Sequence, residues 1–204
     1  MNIACLDFEG VLIPEIWVGL AERTGIEALR ATTREVPDYD VLMRQRLDLM
    51  ARHGLRLRDV QAAADALEPL PGAMEFLAWL RTEYQVAIVS DTFYELGMPL
   101  VRKLGYPTLL CHRLRVEADG LISGYQLRQA NPKRHAVLGF QSMQFKVVAT
   151  GDSYNDVPML ETADRGWFFG PPDNVCRDHP HIPAVHGYAA LKEVLLAAKR
   201  EFDA

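Results

Sequence analysis

KVVATGDSYND, residues 146–156, decides how this chain folds. Lys146 to Thr150 form a short run dominated by apolar and β-branched side chains, the pattern of a buried strand. Gly151 follows, and then Asp152, Asn155 and Asp156 place three carboxylate or amide groups side by side. Oxygen ligands crowded after a buried strand suit a hard cation, with an Asx-turn as the purely structural alternative. In an open parallel sheet ligands bind outside the carboxyl ends of the strands, so the residues just past every other strand become informative.

Working outward, residues 2–6, 85–89, 108–111 and 166–169 also read as strands. Helical spacing fills 73–82 after Pro71-Gly72, 94–104, 132–139 behind a first-turn Pro132, 156–163 and 188–202. The alternation predicts an α/β fold, a Rossmann-like parallel sheet with helices on both faces. Residues 14–70 break it, because their apolar positions are helix-spaced and no strand is evident. They are expected to form a small helical cap domain inserted after the first strand, leaving 1–13 and 71–204 as the α/β core. Within the insertion Asp40 is expected to cap a helix running to Arg52, with Gly54 just past its end, and 57–67 forms another helix. Residues 113–117 and 121–125 flank Ala118-Asp119-Gly120 and predict a β-hairpin excursion beside the main sheet.

Composition narrows the function classes. A chain of 204 residues against ~150 per domain fits one domain with an insertion. With 49% hydrophobic and 24% charged residues it is an ordinary globular sequence, which excludes low-complexity and disordered classes. The net charge of −5, without a basic run, argues against a nucleic-acid partner. No apolar stretch reaches the ~18–20 residues of a membrane span. The opening MNIACLDFEG carries acids where a signal peptide has basic and apolar residues, so a cytoplasmic location is expected. Cys5, Cys111 and Cys176 are odd in number and scattered, as reduced thiols are. His179, His181 and His186 fall in a proline-punctuated stretch that reads as an extended loop rather than a metal site. Trp17, Trp79 and Trp167 read as core or interface residues. The oligomeric state is open, a homo-oligomer included.

The segments after the strands are polar: Asp7-Phe8-Glu9-Gly10, Ser90-Asp91-Thr92 and the Asp152 loop, with Lys133 near the start of the Pro132 helix. Singly, each has a structural reading: an acid after a strand as a turn former, Ser90 as a helix cap, Lys133 as a solvated surface charge. Jointly they converge on one end of one sheet. Carboxylates opposed by one lysine need a further cation, and Mg²⁺ accepts one or two carboxylates plus substrate phosphate. An aspartate beside it can attack phosphorus to give an aspartyl phosphate, so phosphoryl transfer leads.

These motifs resemble those of the haloacid dehalogenase superfamily, in order and approximate spacing along the whole chain. The resemblance implies that Asp7 is the nucleophile and that Asp7, the Glu9 carbonyl and Asp152 hold Mg²⁺. It implies that Ser90 and Lys133 hold the phosphate and that Asn155 and Asp156 complete the acidic loop, Asp156 supporting the metal and its waters. Within the superfamily the chain resembles the phosphoserine phosphatases, through Glu15 and LMRQRLDLM at 42–50. On a helix Arg46 shares a face with Leu42, Met43, Leu49 and Met50, whereas Arg44 lies four residues from both Asp40 and Asp48 and suits a solvated face. Arg46 is therefore expected to bind a substrate carboxylate, and the resemblance gives Glu15 the ammonium.

Two positions depart from the usual pattern, which is DxD with Gly after the phosphate-binding Ser. Here Glu9 replaces the second Asp, and Asp91 the Gly. Glu9 must then move the proton through a side chain longer by ~1.5 Å, and misplacements of ~1 Å can cost about 100-fold. Both changes resemble a subgroup that passes the phosphoryl group from O-phosphoserine to homoserine as well as to water. Three other readings stay open on residues alone: a phosphatase for another small phosphomonoester, a receiver-like signalling domain, and a catalytically inert phosphate-binding module.

Overall fold

The computed structural model describes residues 1–32, 35–36 and 38–204. Seven strands form one sheet in the order β4-β3-β2-β1-β5-β6-β7: β1 (Asn2–Leu6), β2 (Gln85–Phe93), β3 (Thr108–Val116), β4 (Ile122–Gln126), β5 (Lys146–Gly151), β6 (Arg165–Phe169) and β7 (Ala184–Val185). All neighbours are parallel except β3 and β4. The helices are α1 (Ile16–Thr24), α2 (Tyr39–Arg52), α3 (Leu57–Ala66), α4 (Ala73–Glu83), α5 (Tyr94–Lys103), α6 (Pro132–Ser142), α7 (Val157–Thr162), α8 (Asp173–Asp178) and α9 (Gly187–Phe202). Helices α1 to α3, with a short 3₁₀ turn at Glu27–Arg30, all fall between β1 and α4.

The sheet separates two cores, as the two-residue strand period requires. Ala4 and Leu6 of β1 and Val148 of β5 point into the larger one, with Phe76 and Leu80 of α4 and Leu191 and Leu195 of α9. Ile3, Cys5, Val147 and Ala149 point the other way, toward Val137 of α6, Met159 of α7 and Val175 of α8. The central strands are thus apolar on both sides, which is why their sequences read as unbroken apolar runs.

Register brings the chemistry to one edge. Leu6 pairs with Ile88 on one side and Thr150 on the other, so Asp7 emerges level with the end of β5 and just short of the irregular stretch of β2. The β2 ladder then breaks its register against β3, with Val89 opposite Leu110 but Phe93 opposite His112. Ser90, Asp91 and Thr92 share that interval with Cys111 alone, a bulge that throws them out of the ladder. Ser90 therefore caps no helix. β2 runs to Phe93, and α5 starts only at Tyr94.

The expected hairpin is present at the edge of the sheet: its first arm is the continuation of β3, and β4 pairs with it antiparallel. One expectation changes. Asp40 is not the cap of α2: Asp38 is, accepting the Val41 N–H at 2.9 Å, while Asp40 lies within the first turn and accepts the Tyr125 hydroxyl. Short α8 and β7 carry too few periodic residues to announce themselves. Replacing Asp38 with Ala should lower the unfolding free energy by ~0.5–2 kcal/mol, read from urea denaturation, with D40A costing less if capping is the cause.

Candidate active site

Asp7 leaves β1 with its N–H on the Thr150 carbonyl at 2.8 Å, and its Oδ1 accepts the Phe8 N–H at 2.8 Å. Two glycines let the other carboxylates close in. A Cβ on Gly10 would stand 2.5 Å from the Asp152 carboxylate, and one on Gly151 would stand 2.2 Å from Asp156 Cγ. No side chain fits at either place. Asp156 Oδ2 accepts the N–H groups of Asp152 and Ser153 at 2.9 and 3.0 Å, and Oδ1 accepts Lys133 Nζ at 2.6 Å.

Lys133 follows Pro132 at the start of α6, where Asn131 takes a left-handed φ of 44° to enter the helix. Its ammonium lies 3.0 Å from Asp7 Oδ1 and 3.7 Å from Asp91 Oδ2. Burial works against its charge, and Asp156, Asp7 and Asp91 outweigh that, holding its pKa well above the ordinary lysine range. Burial pushes Asp7 well above the usual carboxylate range; Asp156 and Asp152 add to this, and Lys133 and the Phe8 N–H oppose it.

Carboxylate oxygens of Asp7, Asp152 and Asp156 lie within 4.8 Å of one another, in a place only Lys133 supplies with nearby positive charge among the described residues. That donor set fits a hard divalent cation. Asp7, Asp152 and Asp156 are the carboxylates that could hold it, Asp156 also bonding Lys133 and two N–H groups.

Facing this floor, a chamber of about 60 Å³ has room for a few waters at ~10–15 Å³ each. Asp7, Glu9, Ser90 and Asp152 line one side, Glu15, Trp17, Tyr39 and Arg46 the other. Glu9 Oε1 accepts the Ile16 N–H at the start of α1 at 2.8 Å. Burial, reinforced by Glu15, still pushes Glu9 up to about 8, against that N–H, Arg46 and Lys133. Arg46 is buried on α2, its guanidinium 4.5 Å over the Trp17 ring and its Nη2 donating to the Ala31 carbonyl at 2.9 Å. Its Nε has no partner among the described residues. Donor capacity buried without a partner is costly unless a ligand takes it up.

Asp91 forms the partition between this chamber and a larger outer cavity of about 530 Å³, which also shares Tyr39 and Asn155. Burial raises its pKa, but Lys133, His112 and Asn155 outweigh burial and hold it at about 2. Asn155 Nδ2 donates to Asp91 Oδ2 at 2.7 Å.

The structure thus gathers Asp7, Glu9, Glu15, Arg46, Ser90, Asp91, Lys133, Asp152, Asn155 and Asp156 around one chamber and its floor. Trp17 lies in the core, as expected, and its ring also carries Arg46, a second task that only its position two residues after Glu15 could have signalled. Sequence reading missed Tyr39, whose hydroxyl donates to the Asp91 carbonyl at 2.8 Å, and His112, which lies against Asp91. Nothing in local sequence marks those two. His179, His181 and Glu161 do bring ligand-type atoms together, at the surface and away from this chamber.

Residues 5–161 match the haloacid dehalogenase-like hydrolase family. The chain is 57% identical over 202 residues to a phosphoserine phosphatase of Pseudomonas syringae pv. tomato, across 98% of this chain and 85% of that protein. It is 56% identical over 198 residues to the phosphoserine phosphatase ThrH of Pseudomonas aeruginosa, across 97% of each. Among solved structures, a substrate-bound phosphoserine phosphatase superposes with a TM-score of 0.78 at 22% identity, over 96% of this chain and 97% of that one. A phospho-aspartyl intermediate analogue of phosphoserine phosphatase gives 0.77 at 22% identity, over 96% and 98%. The structural likeness is one of fold; together with near full-length sequence identity to its relatives, it shows that this chain belongs to the haloacid dehalogenase-like hydrolases and is an enzyme.

Proposed function

We propose that the protein is a Mg²⁺-dependent phosphoserine phosphatase that works through an aspartyl phosphate on Asp7 and can pass the phosphoryl group to homoserine as well as to water. The observation that carries this reading is the chamber itself. It sets buried Asp7, backed by Lys133, opposite a carboxylate, Glu15, and a guanidinium, Arg46, whose Nε has no partner among the described residues. That is the complement of a phosphate at one end and an amino-acid head at the other. The helices between β1 and α4 then act as the cap that carries the amino-acid end.

Asp7, Asp152 and the Glu9 carbonyl would hold Mg²⁺, which when bound would neutralise phosphoryl oxygens and keep Asp7 ionised. The chain's own residues do the rest. Ser90 and Lys133 hold the phosphoryl oxygens while Asp7 attacks phosphorus in line with the serine oxygen. As the Asp7 O–P bond forms, the P–O bond to serine breaks, and protonated Glu9 delivers its proton to the departing serine oxygen. Serine leaves. Glu9, now a carboxylate, takes a proton from water or from the hydroxyl of homoserine held by Glu15 and Arg46. The oxygen so freed attacks phosphorus, the Asp7 O–P bond breaks, and phosphate or phosphohomoserine departs. Serine and homoserine differ by one methylene, which an apolar pocket distinguishes by only ~1–3 kcal/mol.

Glu9 must start protonated, and a pKa of about 8 leaves it so at neutral pH. Phosphoenzyme formation in a single turnover should therefore be flat below that value and fall about tenfold per pH unit above it; E9Q, which has no proton to lose, should be slow and show no such fall. Asp7→Asn should yield no phosphoenzyme, and a phosphorylated D7N protein would overturn the assignment of the nucleophile. Phosphorus NMR with O-phosphoserine and Mg²⁺, with and without homoserine, tests the whole reading. Phosphohomoserine beside inorganic phosphate is the expected outcome. Inorganic phosphate alone removes the transfer activity, and unchanged phosphoserine removes the substrate assignment.

A further inference from the structure

His112 sits in β3 opposite Phe93, where the β2 bulge ends, and is 2% exposed. Its ring lies between those of Phe93 and Tyr39, with centroids 6.1 and 6.2 Å away. Nδ1 accepts the Arg128 backbone N–H at 3.1 Å. A nitrogen that accepts carries no proton, so the ring proton of this imidazole sits on Nε2. Nε2 lies 3.4 Å from Asp91 Oδ1. The other oxygen, Asp91 Oδ2, takes Asn155 Nδ2 at 2.7 Å and faces Lys133 Nζ at 3.7 Å. The Asp91 carbonyl is pinned separately by the Tyr39 hydroxyl. A line of polar contacts thus runs from the backbone of Arg128 through His112 and Asp91 to two residues of the phosphoryl site.

We propose that His112 is a positioning residue for phosphoryl transfer: it orients the Asp91 carboxylate, and Asp91 in turn fixes Asn155 and Lys133 against the reacting phosphoryl group. The inference rests on the phosphoryl-transfer reading above. A bulge leaves its residues without ladder partners, so the Asp91 side chain must be aimed by something other than the sheet. A carboxylate free to turn would pull Lys133 between Asp91 and Asp7. One Nε2–H, in a ring clamped by two aromatic neighbours and a backbone N–H, removes that freedom. Partners of this kind, one contact removed from the chemistry, are worth roughly 10- to 100-fold in activity when deleted.

The test is steady-state kinetics of H112A, H112Q, D91A and the D91A/H112A double variant, on O-phosphoserine and on p-nitrophenyl phosphate, with thermal melts of each. H112A should lose about 10- to 100-fold in kcat with KM changed less than about threefold. H112Q, whose side-chain amide can carry an N–H near the place of Nε2, should recover most of that loss even if its melting temperature falls as far as that of H112A. The double variant should be no slower than D91A. Wild-type kcat in folded H112A, equal losses in H112A and H112Q, or multiplying losses in the double variant would each overturn the proposal. If H112A does not fold, H112Q against H112N, whose shorter amide falls short of Asp91, carries the same comparison. A wild-type protein inert toward O-phosphoserine but active on p-nitrophenyl phosphate removes the substrate reading alone, and the His112 series is then read on the second ester. Inertness toward both overturns the phosphoryl-transfer reading and this proposal with it.

Discussion

Two buried carboxylates, Asp7 and Asp156, set against one buried ammonium, Lys133, are the constraint on which the rest of this molecule depends. Lys133 reaches Asp156 at 2.6 Å and Asp7 at 3.0 Å, in a place no water-exposed pair could imitate. Breaking such a pair from one side costs ~3–5 kcal/mol, because a charge is left buried without its partner. The fold meets that cost with geometry. Asp156 is held by the N–H groups of Asp152 and Ser153, and Lys133 by the opening turn of α6. Burial, with Asp156 and Asp152 close by, pushes Asp7 upward, and among the described residues only Lys133 answers that negative charge, so a divalent cation fits.

The same shortage organises the chamber's other side. Glu15 adds negative charge beside Glu9, and Arg46 answers it from α2 while resting on Trp17. Aromatic support of this kind lets a guanidinium be buried with few hydrogen bonds and keeps its planar fork aimed. A carboxyl pushed up by burial and a guanidinium with spare donors are poised for opposite tasks, a proton at one end and a carboxylate ligand at the other. The glutamate at position 9 reaches the same chamber by bonding the first N–H of α1, so the extra methylene of the DxE motif is absorbed at a helix start.

Much of the fold was legible because it rests on short-range rules. Apolar runs made the five longer parallel strands visible, and the polar residues after them marked one edge of the sheet. Helix spacing on α2 placed Arg46 rather than Arg44 inward, and the structure has Arg46 buried and Arg44 exposed. Asp38 was passed over for Asp40 because both suit a cap and only the backbone's entry angle separates them. The hairpin at β3–β4 was legible from its turn residues, but not that its first arm continues the 108–111 strand, because no local pattern says that a strand runs on through its own polar end.

What the sequence determined by itself was the order of strands and helices and the chemical inventory after each strand, since both depend only on residue type and spacing along a few turns of chain. Tertiary structure decided which of those groups meet. The β2 bulge, the tautomer of His112, the ring beneath Arg46 and the crowding that moves Glu9 and Asp7 all depend on residues far apart in the chain. Burial and Coulomb interactions act through space, and no reading along the chain carries those distances.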